Sequence, residues 1–348
     1  MPKTNRKFRW GILAVVAVVL AVAGVVAYKV FEEPGHAEFK AGKAAYRAGD
    51  YKTAVEHYKL AADQGNLKAR TLVGIFYRKG MGVEQQDYDE AVKWLRPAAE
   101  QGFGAAQSEL GLCYECGFGV EQDYAVAVEW YKKAAEQGVK DAQIQLAAAY
   151  GLGRGVEQDD EMAFKWMFKA ADQGDDLAQY HLAIFYRDGR GVKQSDKNAV
   201  KWFKKAAEQG NIDAQFWYAW HRYHGIGCRK DEEEAAKWWR KAAEQGDAES
   251  QNRFGHCCLG GKGVEQDMEQ AVDWFRKSAE QGFSAGQFSL GLCLYEGIGV
   301  EKDTSAAVDL WRKAAEQGLE GVKEHLKYYA DQGDAEALKV LNELEKGE

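Results

Sequence analysis

Apolar residues recur along this chain with helical rather than alternating spacing, and the whole pattern returns every 36 residues. In residues 103–138, Leu110, Gly111 and Tyr114 fall at i, i+1 and i+4. They mark one side of a first helix running from about Ala105 to Cys116. Gly117-Phe118-Gly119 should stop it, because glycine tolerates the left-handed conformation that ends helices. Ala127, Trp130 and Ala134 follow at i, i+3 and i+7, the apolar face of a second helix that Gly138 terminates. Asp123 stands where an N-cap belongs, its carboxylate able to accept from orphan backbone N–H groups. The same slot holds Asp87, Asp159, Ser195, Asp231, Asp267 and Asp303 elsewhere in the chain.

Three markers keep this beat in phase. The first is the glycine of Ala-Ala-Glu-Gln-Gly or a close variant: Gly65, Gly102, Gly138, Gly174, Gly210, Gly246, Gly282 and Gly318. Its first interval is 37 residues, from an extra Gln in Gln85-Gln86, and the next six are 36 each. The second is Trp94, Trp130, Trp166, Trp202, Trp238 and Trp274, with Leu310 and Trp311 at the next step. The third is Gly-x-Gly, from Gly80/Gly82 to Gly297/Gly299. Gly74, Gly111, Ala147, Ala183, Ala219, Gly255 and Gly291 share one slot, where a small residue lets two helices approach. A single hairpin of this kind cannot bury its faces, so neighbours must stack.

Charge changes the picture only by exclusion. The chain has 348 residues, 46% of them hydrophobic, and a net charge of -8, which argues against a nucleic-acid surface. The N-terminus stands apart from the repeats. Lys3, Arg6, Lys7 and Arg9 precede an uncharged apolar run from Trp10 to Tyr28, close to the length of a bilayer-spanning helix. Glu32 and Glu33 follow, favouring an N-inside orientation. The expectation is a single-pass inner-membrane anchor with the rest on the periplasmic, exported side. The alternative is a signal peptide cleaved near Ala23, after which the protein is secreted or periplasmic.

Leu-Gly-x-x-Tyr, Gly-x-Gly-Val, Asp-x-x-x-Ala-x-x-Trp and Ala-Ala-x-x-Gly, recurring in register, resemble the Sel-1-like repeat family, relatives of tetratricopeptide repeats. The resemblance covers residues 66–318 as seven units and implies an all-α fold, a right-handed α-solenoid of stacked helical hairpins. The organisation expected is a basic segment 1–9, the anchor or signal helix 10–28, a linker 29–35, a tetratricopeptide-like hairpin 36–65, the seven repeats, and capping helices 319–348. Pro97 falls inside a second helix and should kink or end it. Tyr114's equivalents become Arg222, Cys258 and Leu294, so repeats five to seven diverge. The resemblance implies a protein-interaction role; some cysteine-rich relatives have been described as cell-wall or β-lactam hydrolases, which is the alternative.

Residues that carry chemistry are sparse. The glycine pairs lack the Lys-Ser/Thr of a phosphate loop. No Gly-x-Ser-x-Gly occurs. Cys113, Cys257 and Cys293 share a slot filled elsewhere by Ala149, Phe185 and His221, so they read as packing thiols, with Cys116, Cys228 and Cys258 also free or buried. His221 and His224, at i, i+3 and near His256, are a spacing two metal ligands can use, but satisfied or surface histidines are the plainer reading. No cofactor and no catalytic group is expected.

The surface expected to carry function is the concave side, lined in tetratricopeptide-like stacks by the first helix of each hairpin. Its stripe follows i, i+4, i+7 and i+8. Repeat two gives Ser108, Leu112, Glu115 and Cys116, and repeat four gives Tyr180, Ile184, Arg187 and Asp188. Repeat five gives Phe216, Trp220, Tyr223 and His224; repeat six Asn252, His256, Leu259 and Gly260; repeat seven Phe288, Leu292, Tyr295 and Glu296. The aromatic run from repeat four to repeat seven predicts a groove for a peptide or protein partner. The other reading is that these aromatics are core between repeats.

Overall fold

The computed structural model describes residues 33–346. The expected membrane or signal helix, 10–28, lies outside the described residues, among which no helix is long and apolar enough to cross a membrane. Eighteen helices and no strand are found among the described residues, an all-α repeat architecture. The chain divides into two compact units, Met1–Gln158 and Asp159–Glu348.

The first unit contains α1 (His36–Arg47), α2 (Tyr51–Asp63), α3 (Leu67–Lys79), α4 (Tyr88–Glu100), α5 (Gly104–Cys116), α6 (Tyr124–Glu136) and α7 (Lys140–Leu152). The second contains α8 (Asp160–Asp172), α9 (Asp176–Asp188), α10 (Asp196–Glu208), α11 (Ile212–His224), α12 (Glu232–Glu244) and α13 (Ala248–Gly260). It continues with α14 (Met268–Glu280), α15 (Ser284–Glu296), α16 (Thr304–Glu316), α17 (Val322–Asp331) and α18 (Ala335–Lys346). Within each unit, helices adjacent in sequence pack against one another.

Local chemistry sets these boundaries. Every residue of the Asp/Ser slot caps its helix. The side chain of Asp87 accepts from the N–H of Glu90, Asp159 from Met162, Ser195 from Asn198, and Asp267 from Gln270. Asp123, Asp231 and Asp303 do the same. Such a cap contributes about 1 kcal/mol. A second set of caps starts the first helices: Asn66, Asp175, Asn211 and Asp247. Pro97 does not end its helix, since α4 runs through it to Glu100. The hydrogen bond it forgoes belongs to the carbonyl of Lys93, a residue on the exposed face, where water can substitute.

The two glycines of Gly-x-Gly perform different tasks. Gly117 closes α5 in the left-handed conformation at φ 73°, and the following Phe118 N–H returns to the carbonyl of Cys113 at 2.9 Å. Gly119, at φ 68°, lies against the start of the preceding hairpin's second helix, where a Cβ would stand 2.2 Å from the carbonyl oxygen of Tyr88. Gly82 meets Tyr51 and Gly263 meets Glu232 in the same way. Backbone therefore touches backbone from one repeat to the next.

Glutamine pairs, one member buried and one at the surface, join repeats by a second route. Gln137 donates its amide to Gln107 Oε1 at 2.7 Å, and Gln107 donates to the carbonyl of Ala99 at 3.1 Å. Ala99 belongs to the last turn of α4, where carbonyls lack helical partners. In the second unit Gln209–Gln179, Gln245–Gln215, Gln281–Gln251 and Gln317–Gln287 repeat the link at 2.8–2.9 Å.

Between the helices of a hairpin the small-residue slot faces a large one. A Cβ on Gly111 would approach the Tyr131 ring to 2.7 Å, and one on Gly255 would approach Phe275 to 2.6 Å. Trp311 fills this large slot in its own repeat and is fully buried. It is thus the counterpart of Tyr131 and Phe275 rather than of the Trp marker. From Trp130 to Trp274 the marker tryptophans are each covered by the Lys three residues on, as where Lys241 Nζ sits 3.8 Å from the Trp238 ring and Lys205 Nζ 3.9 Å from Trp202; Trp94, followed by Pro97, instead donates to Glu90 at 3.0 Å.

Candidate functional site

A cleft of about 480 Å³ opens in the second unit, walled by α11, α12 and α13. Helical spacing assembles its walls. Trp220, Tyr223 and His224 lie at i, i+3 and i+4 on α11, and Arg253, His256, Cys257 and Gly260 at i, i+3, i+4 and i+7 on α13. Trp239 enters from α12, Leu259 from the end of α13, and Lys262 from the middle of the Gly261–Gly263 turn.

The aromatic wall is continuous. The Trp220 and His224 rings are 4.2 Å apart, Tyr223 and His224 5.0 Å, and Tyr223 and Trp239 5.2 Å. Cations hold this wall from the opposite side. The Arg253 guanidinium sits 4.9 Å from the Trp220 ring centre, and Lys262 Nζ donates to the Tyr223 hydroxyl at 3.1 Å. Ser289 shares a 3.1 Å hydrogen bond with His256 Nε2, and the Phe275 ring backs the imidazole at 4.9 Å.

The surroundings disfavour the charged form of both imidazoles. His256 is open to the cleft, yet protein encloses it on its other sides. That desolvation, reinforced by the Arg253 and Lys262 cations, lowers its pKa. His224 is lowered in the same sense by partial desolvation and by Arg253 and Lys230. Desolvation pushes the thiol of Cys257, at the floor, up to about 12, so it stays protonated and a poor nucleophile.

In repeats four to six the stripe expected from sequence divides into three groups. Trp220, Tyr223, His224, His256, Leu259 and Gly260 come together in the cleft. Tyr180, Ile184 and Arg187 stand on α9 outside the lining, with Tyr180 6.0 Å from Phe203 and Arg187 4.5 Å from the Trp217 ring. Two expected groove positions are buried instead: Phe216 is 8% exposed and Asn252 4%. Each is the fifth residue of its helix, and Phe216 packs at right angles against Trp217.

Repeat seven departs further. Phe288, Leu292 and Tyr295 join the core made with α16, α17 and α18. Tyr295 lies 4.1 Å from Tyr329 and donates to Asp334 Oδ2 at 2.8 Å. The last two helices therefore cover this end of the stripe, and the three residues serve as core. In the first unit, Ser108, Leu112 and Glu115 are half-buried and Cys116 is exposed; Glu115 accepts from the Tyr131 hydroxyl at 2.6 Å.

Trp239, Arg253 and Lys262 belong to the cleft and were not foreseen. Arg253 lies one position off the assigned face, Trp239 follows the marker Trp238, and Lys262 is the variable residue of a turn. The only sequence signal for them was a run of large or cationic residues in the repeats that diverge.

Candidate chemistry elsewhere resolves as packing. All six cysteines are free thiols, and Cys113, Cys257, Cys258 and Cys293 are buried. His221 is 2% exposed, with Nδ1 3.0 Å from the carbonyl of Ile226, and so lies in the core rather than beside His224 as a ligand. Among the described residues no group of three His, Cys, Asp or Glu side chains converges as a metal site.

Comparison with known proteins agrees with this architecture. The model of the Sel1 repeat matches eight consecutive segments, 36–66, 67–103, 104–139, 140–175, 176–211, 212–247, 248–283 and 284–319. The match takes in the first hairpin along with the seven that follow. A protective antigen present in uropathogenic Escherichia coli strains, displaying an SLR fold, is 36% identical, with a TM-score of 0.77 over 84% of this chain. The chain spans 64% of that structure's length. A Sel1 repeat protein from Oxalobacter formigenes is 33% identical, with a TM-score of 0.61, covering 86% of this chain and 94% of its own. A search of the curated proteins finds no match. On the repeats matched and the structures shared, the chain belongs to the Sel1 repeat family.

Proposed function

We propose that this chain is a protein-interaction scaffold whose second unit holds a peptide or extended protein segment in the cleft between α11 and α13. Sel1 repeats generally form non-enzymatic scaffolds for protein–protein contacts. The observation that carries the reading is the cleft itself. Trp220, Tyr223 and Leu259, large side chains on the first helices of repeats five and six, border open space of about 480 Å³, within the range of recognition pockets. Aromatic side chains are strong anchors because they bury a large area at small conformational cost. The double variant Trp220→Ala, Tyr223→Ala should keep its helical circular dichroism and lose a co-purifying partner. Retention of that partner at the wild-type level counts against the cleft.

The location proposed for this scaffold is the exported side of an inner membrane. Support comes from the basic residues Lys3, Arg6, Lys7 and Arg9 ahead of the apolar run Trp10–Tyr28. Protease added to intact spheroplasts should digest the repeats; full protection until lysis would place them inside.

A further inference from the structure

We infer that the occupant of the α11–α13 cleft is an acidic segment, carrying two carboxylates with an apolar side chain between them. This rests on the cleft being the binding site, and adds what it selects. The chain as a whole is acidic, at net charge -8, yet the charged groups at the lining are cations, Arg253 and Lys262. Neighbouring carboxylates offset them only in part, Glu232 acting on Lys262 with no direct ion pair. Glu249 touches Arg253 only at 3.5 Å, and Arg253 Nε has no partner among the described residues. Glu232 is held by Lys230 at 2.7 Å, while Lys262 bonds to the neutral Tyr223 hydroxyl.

Geometry sets the spacing. Arg253 and the end of α13 before Lys262 are on the order of 10 Å apart along the helix, the reach of about three residues of extended chain. Trp220, under the Arg253 guanidinium, and Leu259 provide apolar surface in the same lining. Arg253 gives Nη2 to Glu249 and its Nε is buried, so a ligand would meet the outer edge of the guanidinium, whose donors match a carboxylate in geometry. A basic partner would meet two cations at like charge, while the chain's negative field would attract it elsewhere.

The test is selection of short random peptides on the purified full-length protein. Acidic peptides should be enriched, and a synthetic peptide of the enriched class should bind about tenfold more weakly to an Arg253→Gln, Lys262→Gln variant. Its affinity should also fall as salt rises. Peptides without acidic bias, lost with Trp220→Ala, Tyr223→Ala but indifferent to the glutamine variant, would overturn the charge inference and leave the cleft standing. Enrichment that survives the aromatic variant, or none above an unrelated protein, would overturn both. Wild-type circular dichroism for each variant excludes misfolding as the cause.

Discussion

At the scale of the residue, the repeat is enforced by groups that admit little substitution. The second glycine of each Gly-x-Gly combines a positive φ with contact to the preceding hairpin, whereas the glycine ending each second helix has only the positive φ. Gly102, at φ 87°, has nothing within 4 Å of a Cβ position, while a Cβ on Gly119 would stand 2.2 Å from a backbone oxygen. Gly102→Ala should therefore cost about 1–2 kcal/mol, the left-handed penalty alone. Gly119→Ala should cost at least ~2 kcal/mol more, because a rigid carbonyl has to move. Thermal unfolding of the two variants measures the difference. Equal midpoints would show that the contact between repeats adds nothing.

At the scale of the element, most of the hairpin was legible. Asp123 and its equivalents announced the second helices, Gly117 and its equivalents ended the first, and the slot shared by Cys113, Cys257 and Cys293 was read correctly as packing. These signals are local, each acting within one turn of the residue that carries it. What escaped depends on the neighbouring repeat. The Gln137–Gln107–Ala99 link joins residues 30 and 8 positions apart, and Gln107 does not show from its own surroundings that it will be buried. The groove stripe met the same limit. Tyr295 and Tyr223 occupy one repeat position two repeats apart, yet α17 and α18 cover Tyr295 while Tyr223 borders open space. Spacing within a helix indicates which residues share a face; it does not indicate what lies against that face. Arg253, Trp239 and Lys262 were missed for the same reason, since the cleft is made by three helices and a turn.

At the scale of the whole molecule, near-identical hairpins repeat the same caps and contacts, and the recognition proposed lies where they diverge. The cleft opens in repeats five and six, where Arg222 and Cys258 replace the usual tyrosine and the first helices carry Trp220, Tyr223 and His256. A scaffold of this kind needs no reactive group: it presents a shaped, charged surface whose anchors are already in place, so binding orders few side chains. Placing a photo-crosslinking amino acid in the full-length protein in cells tests this most directly, at Leu259 in the cleft and, separately, at Lys237 on the exposed face of α12. A discrete adduct from position 259 that disappears with Trp220→Ala, with none from position 237, is the result predicted; adducts alike from both positions, or none from 259, would contradict the account.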